Sequence, residues 1–209
     1  ILFSSTVATA GFNLVLDGGT AGNVTISGAV TGGGDMTVRD GAVQAYDALT
    51  VNSLTISDAT TSVTLGGAVA STAAIVIDSA GTIVQNGAIT LATTINLDAV
   101  STIGLNAAIS GVTGAIDIDA TGVTTIAAAA NISAGGAVKF GVVKTGTLTT
   151  SADIVTTDDD ITFTRAVTLG ASVDIDSTGA AAGNILFSST VATAGFNLVL
   201  DGGTAGNVT

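Results

Sequence analysis

The stretch Ile75–Asp98, IVIDSAGTIVQNGAITLATTINLD, decides the fold of this chain. It begins and ends with one pattern, in which two apolar residues flank a single position and an aspartate follows. Alternation with a period of two predicts a short strand whose side chains point inward and outward in turn. Glycine, alanine, asparagine and serine between such strands favour corners. The step from Ile75 to Ile95 therefore predicts one coil of a β-solenoid.

The same pattern recurs along the whole chain. Its second apolar position falls at Leu16, Val38, Ile56, Ile77, Leu97, Ile118, Phe140, Ile154, Ile175 and Leu200. Many coils carry another short strand about half a coil later, as at Val63 and Leu65. The short step from Phe140 to Ile154 indicates either an irregular coil or a misaligned copy. Coils of about 20 residues with two or three short strands predict an all-β protein, a parallel β-solenoid (β-helix) whose coils pair with those above and below.

The opening segment of the chain returns unchanged at its end. Ile1–Thr25 and Ile185–Thr209 both have the sequence ILFSSTVATAGFNLVLDGGTAGNVT. This identity predicts a tandem array, in which residues 1–184 are one full repeat and residues 185–209 begin the next. The recurring pattern then places nine coils in each repeat, which would rise by about 43 Å at roughly 4.8 Å per coil.

The composition argues against catalysis and against two kinds of partner. The chain has 28 Gly and no Pro, Cys, His or Trp. Without His and Cys the common nucleophile–base pairs and zinc ligands are missing, so we predict no catalytic residue and no enzyme. The carboxylates of Asp117 and Asp119 would suit glycoside hydrolysis, but no aromatic sugar platform accompanies them. The net charge of −12 argues against nucleic acid, and no apolar run is long enough for membrane insertion.

Two other architectures are considered. Closely spaced turn signals also occur in immunoglobulin-type sandwiches, which usually bring Pro, a buried Trp or Tyr and a much longer domain period. An ice-binding solenoid needs a sustained threonine column. The outward position of successive coils is instead mixed, with Val76, Asn96, Asp117 and Lys139. The absence of these sandwich features and the mixed outward column both favour a solenoid without an ice-binding face.

Three aspartates mark a candidate cation site. Asp78, Asp98 and Asp119 follow the pattern in three consecutive coils, which predicts one column at one corner. Carboxylates about 5 Å apart repel each other unless a cation or hydrogen bonds compensate them. One hypothesis is a row of Ca²⁺ sites, because hard cations favour clustered oxygen ligands. The alternative is that each aspartate accepts backbone N–H groups at its own turn.

Asp158, Asp159 and Asp160 are the second Ca²⁺ candidate, with a solvated loop as the alternative. No other cofactor is predicted.

Basic residues are few, and they suggest one more surface feature. Lys139 is predicted to lie between Asp117 and Asp153 in a short charge ladder on the surface. A ligand-binding module would need a non-repetitive patch, and the candidate for it is Val138–Thr157, which contains Lys139 and Lys144.

The apolar-x-apolar-Asp coils, the bias toward Gly, Ala, Thr, Asn and Asp, and the lack of Cys resemble the repeat regions of giant bacterial exoproteins. These are the filamentous-haemagglutinin-like and related β-solenoid surface adhesins. The resemblance covers the whole chain in style and period rather than in one specific motif. It implies a secreted or surface-attached fibre that serves adhesion, cell contact or a matrix.

We therefore expect the structural shaft of a long extracellular bacterial filament. The alternative is the stalk of a large surface adhesin that presents a distal binding domain to a host or neighbouring cell surface. The expected partner of the segment is itself, through continuation of the chain, end-to-end stacking or lateral bundling. The expected location is extracellular or at the cell surface.

Overall fold

Every strand of the structure pairs in parallel with strands about one coil earlier or later in the chain. The computed structural model describes residues 1–141, 143–144, 146–179, 181 and 183–209. These residues form an all-β parallel solenoid of about nine turns, spaced by about 21 residues. No helix among them is long and apolar enough to cross a membrane. The prediction of an all-β parallel β-solenoid is confirmed.

The strands are short and are separated by corners. The first are β1 Leu2–Phe3, β2 Val7–Ala8, β3 Leu14–Asp17, β4 Val24–Ile26, β5 Val30–Thr31, β6 Met36–Tyr46, β7 Leu49–Val51, β8 Leu54–Leu65 and β9 Val69–Ser71. The next are β10 Ile75–Ser79, β11 Thr82–Gln85, β12 Ile89–Thr90, β13 Ile95–Ala99, β14 Ile103–Leu105, β15 Ile109–Val112, β16 Ile116–Ala120, β17 Thr124–Ile126 and β18 Ile132–Ala134. The last are β19 Val138–Phe140, β20 Leu148–Thr150, β21 Ile154–Thr156, β22 Ile161–Phe163, β23 Val167–Leu169, β24 Val173–Asp176, β25 Ile185–Phe187, β26 Val191–Ala192 and β27 Leu198–Asp201.

Each turn of the chain lays one strand on each of three faces, in the order 1, 2, 3. Face 1 holds β3, the first halves of β6 and β8, and then β10, β13, β16, β19, β22 and β25. Face 2 holds β1, β4, the second halves of β6 and β8, and then β11, β14, β17, β20, β23 and β26. Face 3 holds β2, β5, β7, β9, β12, β15, β18, β21, β24 and β27.

The core is the narrow space between the three faces, and alternation fills it. Ile75 and Ile77 are fully buried, whereas Val76 between them is 37% exposed. The same in-out-in pattern holds for strands of all three faces. Some polar side chains also enter the interior: Tyr46 Oη donates to Gln44 Oε1 at 2.7 Å, and Gln85 Nε2 donates to the carbonyl of Gly87 at 2.6 Å, whereas Gln44 Nε2 has no hydrogen-bond partner among the described residues. One apolar stack therefore runs the length of the solenoid.

The predicted column of second apolar positions is correct as far as Phe140 and wrong beyond it. Phe140 on face 1 pairs with Phe163, so the coil that starts at Phe140 ends at Phe163 and not at Ile154. Ile154 and Ile175 pair with each other on face 3. The error has a physical source, because the apolar-x-apolar pattern is the same on every face and does not identify the face that it occupies. The short step is thus a misaligned copy and not an irregular coil.

The two identical segments lie on different faces. Leu2 and Phe3 of the first copy pair with Thr25 and Ile26 on face 2. Ile185 of the second copy pairs with Ile161 on face 1. From β1 the chain makes eight turns to β23 on face 2 and then passes two further faces to reach β25. The offset between the copies therefore corresponds to eight turns and two faces, one face short of nine coils.

Candidate functional site

The aspartate column, Asp78, Asp98 and Asp119, forms as predicted at the end of face 1. Asp78 pairs with Asp98, and Asp98 pairs with Asp119, in three consecutive coils. These residues stack because β10, β13 and β16 keep the same register along their whole length. Exposure falls along the column, and Asp119 is only 6% exposed. A carboxylate in that position requires compensation.

Two cations that come from later coils meet this column. Lys144 Nζ forms an ion pair with Asp98 Oδ1. Arg165 Nη2 lies 2.7 Å from Asp119 Oδ1. The four side chains, Asp98, Asp119, Lys144 and Arg165, are called the Asp–Lys–Arg cluster below. Lys144 and Arg165 compensate the negative charges of Asp98 and Asp119, which is the role that one hypothesis gave to Ca²⁺. Asp78 belongs to the aspartate column but not to this cluster.

Asp119 is held by the most contacts in the cluster. The backbone N–H of Val143 donates to its Oδ2 at 2.7 Å, and the N–H of Lys144 donates to both carboxylate oxygens at 3.0 and 3.1 Å. The alternative hypothesis placed the donors in each aspartate's own turn, whereas the N–H groups that Asp119 accepts belong to residues one coil further along the chain. At Asp17 the donor lies in the residue's own turn, where the N–H of Gly19 donates at 2.9 Å.

Arg165 is buried between face 1 and face 2, with its side chain 1% exposed. Its Nη1 donates to Thr124 Oγ1 at 3.1 Å, and no described residue accepts a hydrogen bond from its Nε. Burial lowers the pKa of Arg165 below its usual value, and the charge of Asp119 opposes that shift. The guanidinium therefore depends on Asp119, as a buried charge depends on its partner.

A cleft of about 420 Å³ adjoins the cluster. Its lining includes Lys144, Thr147, Thr164, Arg165 and Ser189. Part of it belongs to the predicted non-repetitive patch Val138–Thr157, in which positions 142 and 145 lie outside the described residues. Both cations at the cleft are already paired with carboxylates, so the cleft offers a ligand hydroxyl groups rather than free positive charge.

Asp158, Asp159 and Asp160 lie at the corner between face 3 and face 1. Asp158 Oδ1 accepts the N–H of Ala181 at 2.6 Å. Asp160 Oδ1 accepts both the backbone N–H and the side-chain Nδ2 of Asn184 at 2.8 Å. The carbonyl of Asp159 accepts from Thr156 Oγ1. The corner therefore ties one coil to the next through its carboxylates.

The predicted charge ladder around Lys139 is correct in placing Asp117 beside it and wrong in placing Asp153 there. Lys139 lies between Asp117 and Thr162 on face 1, and it forms no ion pair among the described residues. Asp153 lies on face 3, where its Oδ1 accepts the N–H of Asp174 at 2.8 Å. The prediction failed because Asp153 belongs to the misaligned part of the column.

The sequence singles out Lys144 in the patch Val138–Thr157, but it does not predict that Lys144 and Arg165 pair with the aspartate column. Each of them is separated from its aspartate by about two coils of the chain. One signal was present: Lys144 and Arg165 are separated by one coil step, the same step that separates Asp98 from Asp119. In a solenoid, two pairs of opposite charge with the same spacing can form neighbouring ladders at one corner.

Among the described residues, acidic side chains nowhere form a group of three or more that could hold a metal ion. Calcium binding at either aspartate cluster stays a prediction. Comparison of the chain with protein-family models, with curated proteins and with solved structures gives no match.

Proposed function

We propose that this chain is a segment of the structural shaft of a long extracellular bacterial filament. The observation that supports it is the constant three-faced cross-section, which continues from the first coil to the last described coil around one apolar core. Parallel ladders on three faces resist bending in every direction. Such a rod supplies length and stiffness, and these are the properties that a shaft requires.

The ends of the solenoid support self-association. Core residues of the outermost coils are only partly buried: Phe3, Val7 and Leu14 at one end, and Phe187, Val191 and Leu198 at the other. The outermost strands also present backbone N–H and C=O groups to solvent, which favours addition of further strands. We propose that continuation of the same chain as tandem repeats, with residues 185–209 as the start of a second repeat, covers these ends. End-to-end stacking or lateral bundling of chains would extend the filament further.

The shaft in this proposal has no catalytic activity. The chain offers no His or Cys for nucleophilic catalysis, and the Asp–Lys–Arg cluster neutralises its own charges across neighbouring coils. Its acidic balance, with a net charge of −12, favours a soluble fibre that binds neither nucleic acid nor anionic membranes. The cluster then serves to tie coils together.

Electron cryo-microscopy of the native assembly tests the shaft. A rod with rungs about 4.8 Å apart, continuous across the boundary at residue 185, is the expected result. Discrete globular beads joined by linkers would overturn it. A rod that ends in a compositionally distinct domain would instead identify a stalk of an adhesin, which presents that domain to a host or neighbouring cell.

A further inference from the structure

We propose that successive repeats of the array, each equivalent to residues 1–184, are rotated by one face, about a third of a turn, relative to each other. The inference rests on the proposed tandem array and adds its symmetry. Its basis is the position of the two identical segments: Leu2 lies on face 2, whereas Leu186, its counterpart, lies on face 1. One repeat thus advances the chain by 26 faces, eight turns and two faces, rather than by 27.

The two copies form the same coil, so the difference in face is not a difference in local structure. Leu2 pairs with Thr25 in the first copy, and Ile185 pairs with Val208 in the second, which is the same register. The turn hydrogen bonds agree as well, since Asp17 accepts the N–H of Gly19 and Asp201 accepts the N–H of Gly203, each at 2.9 Å. The repeated segment therefore keeps the same conformation and changes only its azimuth, its angular position around the solenoid axis.

Backbone conformation at the corner between β2 and β3, and at its counterpart between β26 and β27, supports the same conclusion. Ala10 and Ala194 have φ of 51° and 53°, and the glycines that follow them have φ of 86° and 89°. A left-handed alanine is rare, because its Cβ crowds the backbone. Its recurrence in both copies indicates that the repeated segment determines its own path, whichever face it starts on.

Nothing in the strands ties the segment to one face. Inward and outward positions alternate in the same way on all three faces, and most of the inward residues are apolar. The face on which a segment lies is fixed by the number of faces that the chain passes before it. Between the start of the first copy and the start of the second, that number is 26, which is not a multiple of three. The rotation is therefore a consequence of strand count, and each added repeat carries it forward by one more face.

The rotation determines how the shaft presents its surface. The Asp–Lys–Arg cluster lies at the corner after face 1, so it would follow face 3 in the second repeat and face 2 in the third. Three repeats, 78 faces or 26 turns, restore the first azimuth after about 125 Å at roughly 4.8 Å per turn. Each surface feature then forms three rows around the shaft, and lateral contacts between neighbouring shafts can form in three directions.

Labelled arrays test the rotation. The chain has no Cys, so Asn96→Cys in every repeat of a four-repeat array that contains this chain gives one exposed label at the equivalent position of each repeat. Gold particles on these thiols, imaged by electron cryo-tomography, report the azimuth. Successive particles are expected about 42 Å apart along the rod and a third of a turn apart around it.

A calibration array carries Asn96→Cys and Thr168→Cys in one repeat, which measures the angle between face 1 and face 2 directly. Particles aligned along one side of a straight rod would overturn the rotation and leave the shaft intact. An array that forms beads rather than a rod would overturn the shaft, and the rotation with it. The two failures are therefore distinguishable in the same images.

Discussion

The ring of Phe187 stacks on the ring of Phe163 with centroids 4.6 Å apart and ring planes within 5° of parallel. Phe163 in turn stacks on Phe140 at 5.2 Å. Phe140, Phe163 and Phe187 thus form a three-ring aromatic ladder across three consecutive coils of face 1, and this ladder stabilises the core there.

Removal of the middle ring should loosen the C-terminal coils. Phe163 is fully buried, so Phe163→Ala loses both stacks and leaves a cavity, at a cost of about 3–5 kcal/mol. Because each coil contacts only its neighbours, the loss should concentrate near the site. Urea unfolding measures the cost, and amide hydrogen exchange should report faster exchange in β19, β22 and β25 than in β10.

Thr168→Ala, at an exposed position of β23, is the control and should change stability by less than about 0.5 kcal/mol. Equal effects of the two substitutions would contradict this account.

The two ion pairs of the Asp–Lys–Arg cluster should differ in strength. Arg165→Met leaves the buried carboxylate of Asp119 without its cation and should cost about 3–5 kcal/mol. Lys144→Met breaks a pair whose side chains are 20% and 37% exposed, and it should cost less than about 1 kcal/mol. Urea unfolding of both variants compares them.

Adding Asp119→Asn to Arg165→Met should recover part of the loss, because the uncompensated charge is gone. Failure to recover any stability would indicate that Arg165 acts through packing and not through charge.

The sequence predicts some parts of this structure well, for reasons that are local. Alternation at Ile75, Val76 and Ile77 fixes which side chains enter the core, and the nearly equal steps to Asp98 and Asp119 fix the aspartate column. Face assignment depends instead on the number of strands between two points. Because the apolar-x-apolar pattern is the same on every face, one strand assigned to the wrong face misplaces every later column, as happened beyond Phe140.

The partners of the aspartate column were also beyond the sequence. Lys144 lies in a corner that departs from the coil pattern. Arg165 turns inward at a corner where most other coils have a small or polar residue. The spacing of Lys144 and Arg165 matches that of the aspartates, but the approach of their side chains to carboxylates two coils away depends on the path of the corner. The cleft beside them was unpredictable for the same reason, although the patch Val138–Thr157 contains part of its lining.

Close stacking of corners should make one glycine indispensable and leave another replaceable. A Cβ on Gly81 would lie 1.7 Å from the carbonyl oxygen of Thr61 in the coil below, so Gly81→Ala must push two coils apart. A Cβ on Gly104, inside β14, meets nothing within 4 Å. We expect Gly81→Ala to destabilise by about 2 kcal/mol or more. Gly104→Ala should be neutral or stabilise by up to about 1 kcal/mol, because alanine restricts the unfolded chain. Thermal unfolding of the pair decides the matter, and a neutral Gly81→Ala would disprove the close approach.

Two aspartates should contribute to stability with opposite pH dependence. Burial raises the pKa of Asp174 above its usual 3.8, and the charges of Asp153, Asp176 and Asp201 raise it further. The folded state then binds its proton more tightly than the unfolded state, so ionisation of Asp174 disfavours folding as the pH rises through its folded pKa. Asp174→Asn should stabilise the protein at pH 7 by about 0.5 kcal/mol or less, given its exposure. That gain should vanish below the usual pKa, where the carboxyl is protonated in both states.

Asp35 provides the matched opposite case. Hydrogen bonds from Asn52 and Ser53 lower the pKa of Asp35, with Asn52 Nδ2 2.7 Å and Ser53 Oγ 2.8 Å from its Oδ1. Its ionised form therefore favours the folded state above the usual pKa of 3.8, and this contribution is lost as the pH falls through the lower folded value. Asp35→Asn should destabilise at pH 7 and become neutral in acid. Urea unfolding of both variants from pH 2 to pH 7 measures the two profiles. If both substitutions changed the free energy of unfolding at pH 7 in the same direction, local hydrogen bonds and like charges would not determine the pKa values of these carboxylates.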